Sequence, residues 1–123
     1  MSNLQILLAD GNLKERDSLA SRFRLAGHAI ITADSGFHII HLCERQKYDV
    51  VILGEKLSDM PGREALTLLR QAKTAQDLPI LFVSNETSAD DAQVLLSWGA
   101  NEVVNKSTNF NLYLNAIKNI KKS

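Results

Sequence analysis

Four polar segments follow short apolar runs, and they contain the side chains best suited to chemistry. They supply carboxylates from Asp10 and Glu55, a hydroxyl from Ser84 and an ammonium group from Lys106. Carboxylates bind hard cations such as Mg²⁺, whereas a lysine beside a hydroxyl binds anions. If the fold brings the four segments together, they form a metal or anion pocket.

The apolar runs predict strands, and helical patterns alternate with them. Strands are predicted at residues 4–9, 29–33, 50–53, 80–83 and 102–105. Helices are predicted at residues 13–25, 37–46, 63–72 and 89–98, with a last helix that follows a Thr108 cap. Asn12 and Ser88 are the predicted caps of the first and fourth helices, because each lies three residues before an acid.

Strands that alternate with helices predict right-handed crossovers and a parallel sheet buried on both faces. We therefore predict an α/β fold: a doubly wound, flavodoxin-like (βα)5 three-layer sandwich whose five-stranded sheet has the order 2-1-3-4-5. The carboxyl ends of parallel strands meet at one edge of such a sheet. That edge is where ligands bind and where the four polar segments should meet.

Composition narrows the function classes. The 123 residues include 14 basic and 14 acidic side chains, so the net charge of zero gives no general attraction to nucleic acid or to a membrane surface. The single cysteine, Cys43, fits a reducing compartment. No apolar run approaches the ~20 residues of a membrane span, and the N-terminus lacks a secretory pattern. We expect one cytoplasmic domain over residues 1–123 with no output module.

Landmarks along nearly the whole chain resemble those of a response regulator receiver domain, a module of two-component phosphorelay signalling. In chain order they are Leu7-Leu8-Ala9-Asp10, Arg16, Tyr48-Asp49-Val50-Val51-Ile52-Leu53, Gly62, Leu78-Pro79-Ile80, Ser84, Gly99-Ala100 and Lys106. The resemblance implies that acids after the first and third strands hold Mg²⁺. It also implies that the acid of the third strand accepts a phosphoryl group from a histidine kinase.

The chain departs from this pattern at the centre of the site. Gly54 stands where the resemblance places the phosphoacceptor aspartate, and Gly11 stands where it places the second metal-binding acid. Of the three acids, Asp10 alone remains. Glycine has no nucleophile, and Glu55 is a poor substitute because successive strand residues point to opposite sides.

The remaining residues predict a vestigial pocket of Asp10, Gly11, Gly54, Ser84 and Lys106. We expect Asp10 to pair with Lys106 and Ser84 to hydrogen-bond nearby, since a buried charge is costly when unpaired. A weak anion or metal pocket is the alternative. A single carboxylate is a poor Mg²⁺ site, so we expect weak or absent Mg²⁺ binding, no cofactor, no catalytic residue and no enzyme activity.

Two further positions bear on switching. Ser84 and Val103 align with the hydroxyl and the aromatic ring that receiver domains move between two states, and valine has no ring to move. Ser107 follows Lys106 where the family usually has a cis proline. A cis bond before serine costs ~2.5–4 kcal/mol, which predicts a trans peptide.

The first functional hypothesis is a degenerate receiver, or pseudo-receiver, that acts through protein contacts without aspartyl phosphorylation. The second is an active phosphoreceiver with Glu55, Asp10 or Ser84 as a non-standard acceptor. The third is a flavodoxin-like enzyme or nucleotide binder, which the absence of a glycine-rich phosphate loop disfavours.

The predicted interaction face contains Leu95, Trp98 and Val103. The fourth helix also carries Val94 and Leu96, and one narrow stripe cannot bury all these side chains. Receiver-like domains often dock or dimerise through the fourth helix, fifth strand and fifth helix. We expect a protein partner there, such as a histidine kinase or another signalling protein, or a second copy of the chain.

The second helix has a predicted inward face and two histidines. Phe37 and Ile40 are predicted to point inward, together with Leu42 or Cys43. His38 and His41 share one turn but lack the further ligands of a zinc site, so we expect surface histidines. Lys118, Lys121 and Lys122 near the chain end fit the C-terminus of a helix and are weak evidence for nucleic acid.

Overall fold

Five parallel strands form one sheet in the order β2-β1-β3-β4-β5, as predicted. The structure is a computed structural model that describes residues 3–86 and 88–122. The strands are β1 (Gln5–Ala9), β2 (Ala29–Ala33), β3 (Val50–Gly54), β4 (Ile80–Ser84) and β5 (Glu102–Asn105). The helices are α1 (Leu13–Leu25), α2 (Gly36–Arg45), α3 (Gly62–Ala72), α4 (Ala89–Ser97) and α5 (Phe110–Lys122). The alternation of elements therefore produces the predicted doubly wound sandwich.

Two apolar layers cover the sheet. One contains buried side chains of α2, α3 and α4, and the other contains buried side chains of α1 and α5. β3 and β4 are buried along their whole length, which explains their continuous apolar sequences. The sheet is thus a rigid platform that fixes where each strand ends. Among the described residues, no helix is long and apolar enough to cross a membrane.

Side-chain caps set the helix starts. The Asn12 side chain accepts the Glu15 N–H at 3.0 Å, and the Ser88 hydroxyl accepts the Asp91 N–H at 3.2 Å, which confirms both predicted caps. The predicted Thr108 cap is wrong, because α5 begins one residue later than that cap requires. Asn109 accepts the Asn111 N–H at 3.1 Å instead.

The inward face of α2 differs from the prediction. Phe37 is 72% exposed, whereas Ile39 and Cys43 are buried and Ile40 is partly buried. The helix begins at Gly36 and not at Phe37. Ser35 caps it by accepting the His38 N–H at 3.1 Å, and Asp59 accepts the Gly36 N–H at 2.7 Å. Asp59 also accepts the Phe37 N–H at 3.2 Å, and the hydrogen bonds from Gly36 and then Phe37 lower the pKa of the Asp59 carboxyl.

The two faces of α2 predict opposite mutational effects. Ile39→Ala should lower the free energy of unfolding by about 2–5 kcal/mol, because it opens a cavity in a closed core. Phe37→Ala should change it by less than about 0.5 kcal/mol, since the ring contacts mainly solvent. Urea unfolding followed by circular dichroism measures both, and a larger loss for Phe37→Ala would contradict this orientation.

Candidate functional site

Asp10 directly follows β1 and organises the start of α1. Its Oδ1 accepts the Asn12 N–H at 2.9 Å, and its backbone oxygen accepts Nη1 of Arg16 at 2.8 Å. Burial raises the pKa of the Asp10 carboxyl, against the opposing effects of the Asn12 hydrogen bond and of Lys106. Asp10 is therefore a half-buried acid whose ionisation is costly.

Gly54 and Gly11 lie against atoms that leave little space for a side chain. A Cβ on Gly54 would lie 3.1 Å from the Ala9 oxygen and 3.2 Å from Cγ of Asp10. A Cβ on Gly11 would lie 2.9 Å from the backbone oxygen of Lys56, which also accepts the Gly11 N–H. The loop between β3 and α3 therefore packs onto Gly11.

Lys106 pairs with Glu15, which corrects the predicted pairing with Asp10. Both side chains of the pair are partly exposed, at 35% and 42%. Glu15 lies one turn into α1 and meets the lysine in solvent, whereas Asp10 uses an oxygen on the Asn12 N–H. Lys106 remains close enough to lower the pKa of Asp10. Its peptide bond to Ser107 is trans, as predicted.

Glu55 has a role that the sequence did not indicate. Its Oε2 accepts the Asn85 N–H at 3.0 Å, and its Oε1 lies 3.5 Å from the Ser84 hydroxyl, a longer and weaker contact. The carboxylate thus reaches across the sheet edge to the end of β4. Glu55 lines the same cleft as Gly54, and its carboxylate is bonded to the end of β4, which strand alternation alone did not predict.

The predicted pocket residues do meet at one cleft. Asp10, Gly11, Gly54 and Lys106 line it together with Glu55, while Ser84 contacts it through Glu55. The two carboxylates are committed to different partners, Asp10 to the start of α1 and Glu55 to the end of β4. Within residues 3–86 and 88–122, no three His, Cys, Asp or Glu side chains are grouped to hold a metal ion.

The predicted interaction face needs one correction. Leu95 is 1% exposed and belongs to the core, so it cannot contact a partner. Its neighbours are open to solvent: Val94 and Leu96 on α4 are exposed, and Trp98, the residue at the C-cap of α4, is 45% exposed. Val103 is half-buried against the core. The apolar surface therefore centres on Trp98, because the helix turns Leu95 inward.

The residues of α2 do not form a ligand cluster. His38 and His41 are exposed, whereas Cys43 is buried. Burial raises the pKa of the Cys43 thiol to about 11, so it is not a thiolate at neutral pH.

Comparisons of the sequence and of the fold with known proteins agree with this architecture. The sequence model of the response regulator receiver domain matches residues 6–118. Chemotaxis response regulator CheY4 of Vibrio cholerae is similar in fold, with a TM-score of 0.86, 23% identity and coverage of 97% of this chain and 99% of that one. TrrA of Thermotoga maritima, solved with Mg²⁺ and BeF, has a TM-score of 0.81, 28% identity and coverage of 94% and 97%.

A curated relative is longer. Transcriptional regulatory protein HprR of Escherichia coli is 25% identical over 115 residues, which cover 94% of this chain and 50% of that protein. The chain thus spans about half of this relative. The match over residues 6–118, together with the sheet order and the strand-end residues, shows that the chain belongs to the response regulator receiver domain family.

Proposed function

We propose that this receiver domain acts in two-component signalling through protein contacts, without phosphorylation of an aspartate and without catalysis of its own. The observation that carries the proposal is the arrangement around Gly54. The end of β3 offers no carboxylate there, and the Glu55 carboxylate accepts the Asn85 N–H and contacts the Ser84 hydroxyl at the end of β4.

The donors at the end of β4 support this proposal. A phosphoryl group carries concentrated negative charge, so its binding needs free hydroxyl and N–H donors beside a metal ion. Here a resident carboxylate already uses the Asn85 N–H. An incoming phosphoryl group would have to displace Glu55 while lacking the acid that should accept it.

The residues that surround Asp10 do not fit Mg²⁺. Mg²⁺ demands near-octahedral oxygen ligands and is usually held by one or two carboxylates plus phosphate. Asp10 is the sole acid that remains at the aligned positions, and the Lys56 backbone packs onto Gly11. We propose that Mg²⁺ binding is weak or absent and that Asp10 serves to position α1.

The surface centred on Trp98 is the proposed contact site. An exposed tryptophan beside exposed Val94 and Leu96 has the apolar character of an interface centre. We propose a signalling protein, such as a histidine kinase, or a second copy of the chain as the partner, through α4, β5 and α5. Nucleic acid and membranes are not proposed as partners, and the lone Cys43 supports action in the reducing cytoplasm.

Phosphoryl labelling tests the central proposal. Incubation with acetyl phosphate and Mg²⁺ should add no phosphoryl group, because position 54 has no nucleophile. Intact-mass spectrometry measures the adduct, with CheY4 of Vibrio cholerae tested alongside for comparison. An adduct mapped to Glu55, Asp10 or Ser84 would support the alternative of a non-standard acceptor and overturn this proposal.

Asp10→Asn tests the cost of ionising Asp10 while it keeps the positioning contact. Burial raises the pKa of Asp10 in the folded chain. Above the carboxyl titration range, ionisation of Asp10 therefore lowers the free energy of unfolding. At a pH where Asp10 is protonated in both the folded and the unfolded chain, this cost disappears. The amide retains an oxygen for the Asn12 N–H. The variant should unfold at higher urea concentration at pH 7, and this gain should shrink as the pH falls. Asp17→Asn, an equal charge change at an exposed position, is the control. A variant less stable than wild type at pH 7 would contradict the prediction.

Trp98→Ala tests the contact site. Removal of a central interface tryptophan typically weakens binding at least tenfold. Affinity capture with the immobilised domain and sedimentation velocity measure partner binding and self-association. Phe37→Ala removes a more exposed aromatic ring elsewhere and should change neither. Equal binding by wild type and Trp98→Ala would exclude this face.

A further inference from the structure

A cavity that adjoins the vestigial pocket lies between α1, the sheet and the start of α5, and the two share Asp10, Glu15, Gly54, Val83 and Lys106 as lining residues. Its volume is about 350 Å³, within the range of sites that hold small molecules. Leu8, Ile52 and Val83 form its apolar floor, and all three are buried. The wall on the α5 side includes Tyr113, whose hydroxyl is engaged because it accepts the Ser107 N–H at 2.9 Å.

Gly54 lines this cavity without adding a side chain to it. Ile52 and Gly54 are two residues apart on β3, so they belong to the same face of the strand, and both line the cavity. The row of side chains beneath α1 therefore ends at Ile52. Gly54 adds no side chain to this row, and the Ala9 oxygen and the Asp10 side chain lie close to its Cα.

The rim of the cavity carries charged side chains, and α1 supplies two of the basic ones. Lys14, Ser18 and Arg22 recur at four-residue spacing along one stripe of α1 and line the cavity. Nη1 of Arg22 donates to the Thr108 oxygen at 2.9 Å, which joins α1 to the loop before α5. Lys14 is exposed, and within the described residues its side-chain ammonium group makes no ion pair or hydrogen bond.

The carboxylates at the rim are already committed. Glu15 pairs with Lys106, and Asp10 accepts the Asn12 N–H. Three basic side chains line the cavity against these two acids, so one positive charge remains in excess. Lys14 is the cation free to meet a ligand.

We propose that this cavity binds a small organic anion with a flat apolar body, which packs on Leu8, Ile52 and Val83 and directs its acidic group to Lys14. A volume of about 350 Å³ holds on the order of twelve non-hydrogen atoms, at the ~30 Å³ that a water-sized group occupies. That is the size of a bicyclic aromatic carboxylate. Such a ligand would connect α1 to the β5–α5 loop, independently of phosphorylation.

2-Naphthoate is a suitable probe for titration of the whole ¹⁵N-labelled chain by NMR. The amides of Ser18, Leu19 and Tyr113 should shift in a saturable manner, with a dissociation constant on the order of 1 mM or tighter. Lys14→Glu should weaken binding at least tenfold. Lys118→Glu makes the same charge change at an exposed α5 position outside the cavity and should bind within about twofold of wild type.

Two further measurements separate this site from general apolar binding. Ser18→Phe places a ring from an exposed position of α1 into the cavity and should abolish the shifts without lowering the urea midpoint. The cation 2-naphthylmethylammonium should bind at least tenfold more weakly than 2-naphthoate. No saturable shift up to about 5 mM, shifts centred on Trp98, equal binding of the cation, or unchanged affinity in Lys14→Glu or Ser18→Phe would each overturn the proposal.

Discussion

The close approach of β1 and β3 at their carboxyl ends is the constraint on which the site depends. The Ala9 oxygen and Cγ of Asp10 lie so near Gly54 that a side chain at residue 54 requires one of them to shift. This approach follows from the parallel register, in which Ala9 lies opposite Leu53. Asp10 leans into space that a third-strand acid would need, and it holds the first turn of α1 from there. The absence of a side chain at Gly54 and the position of the Asp10 side chain are therefore linked.

The position of Glu55 follows from the same constraint. A carboxylate at residue 54 would stand beside Asp10, and two acids that close raise the cost of ionising either. With glycine at 54, the carboxylate directly after β3 is that of Glu55, which accepts the Asn85 N–H at the end of β4. A carboxylate that accepts an N–H gains a charge-assisted hydrogen bond. The Glu55 carboxylate thus places negative charge at the end of β4.

The fold could be predicted because each element carries its own local signal. Asn12 and Ser88 bond the N–H groups that their spacing predicts, and β3 and β4 are apolar throughout. The errors have local and distant causes. Asn109, and not its neighbour Thr108, directly precedes α5. At the start of α2, Ser35 is a local cap, and Asp59 from the next loop accepts the Gly36 and Phe37 N–H groups. Lys106 had two acids within reach, and sequence order does not show that Asp10 is already bonded to Asn12 while Glu15 faces solvent.

The Glu55 contact also bears on how the Trp98 surface is presented. Glu55 bonds residue 85, three residues before the Ser88 cap that starts α4, so it acts on the segment that leads into the helix carrying Trp98. In a receiver that switches, a phosphoryl group supplies the charge at this point and its removal withdraws it. Here the charge belongs to the chain and remains. Under the proposed function α4 is held in one arrangement, so the presence of the domain, and not its modification, is the signal its partner reads.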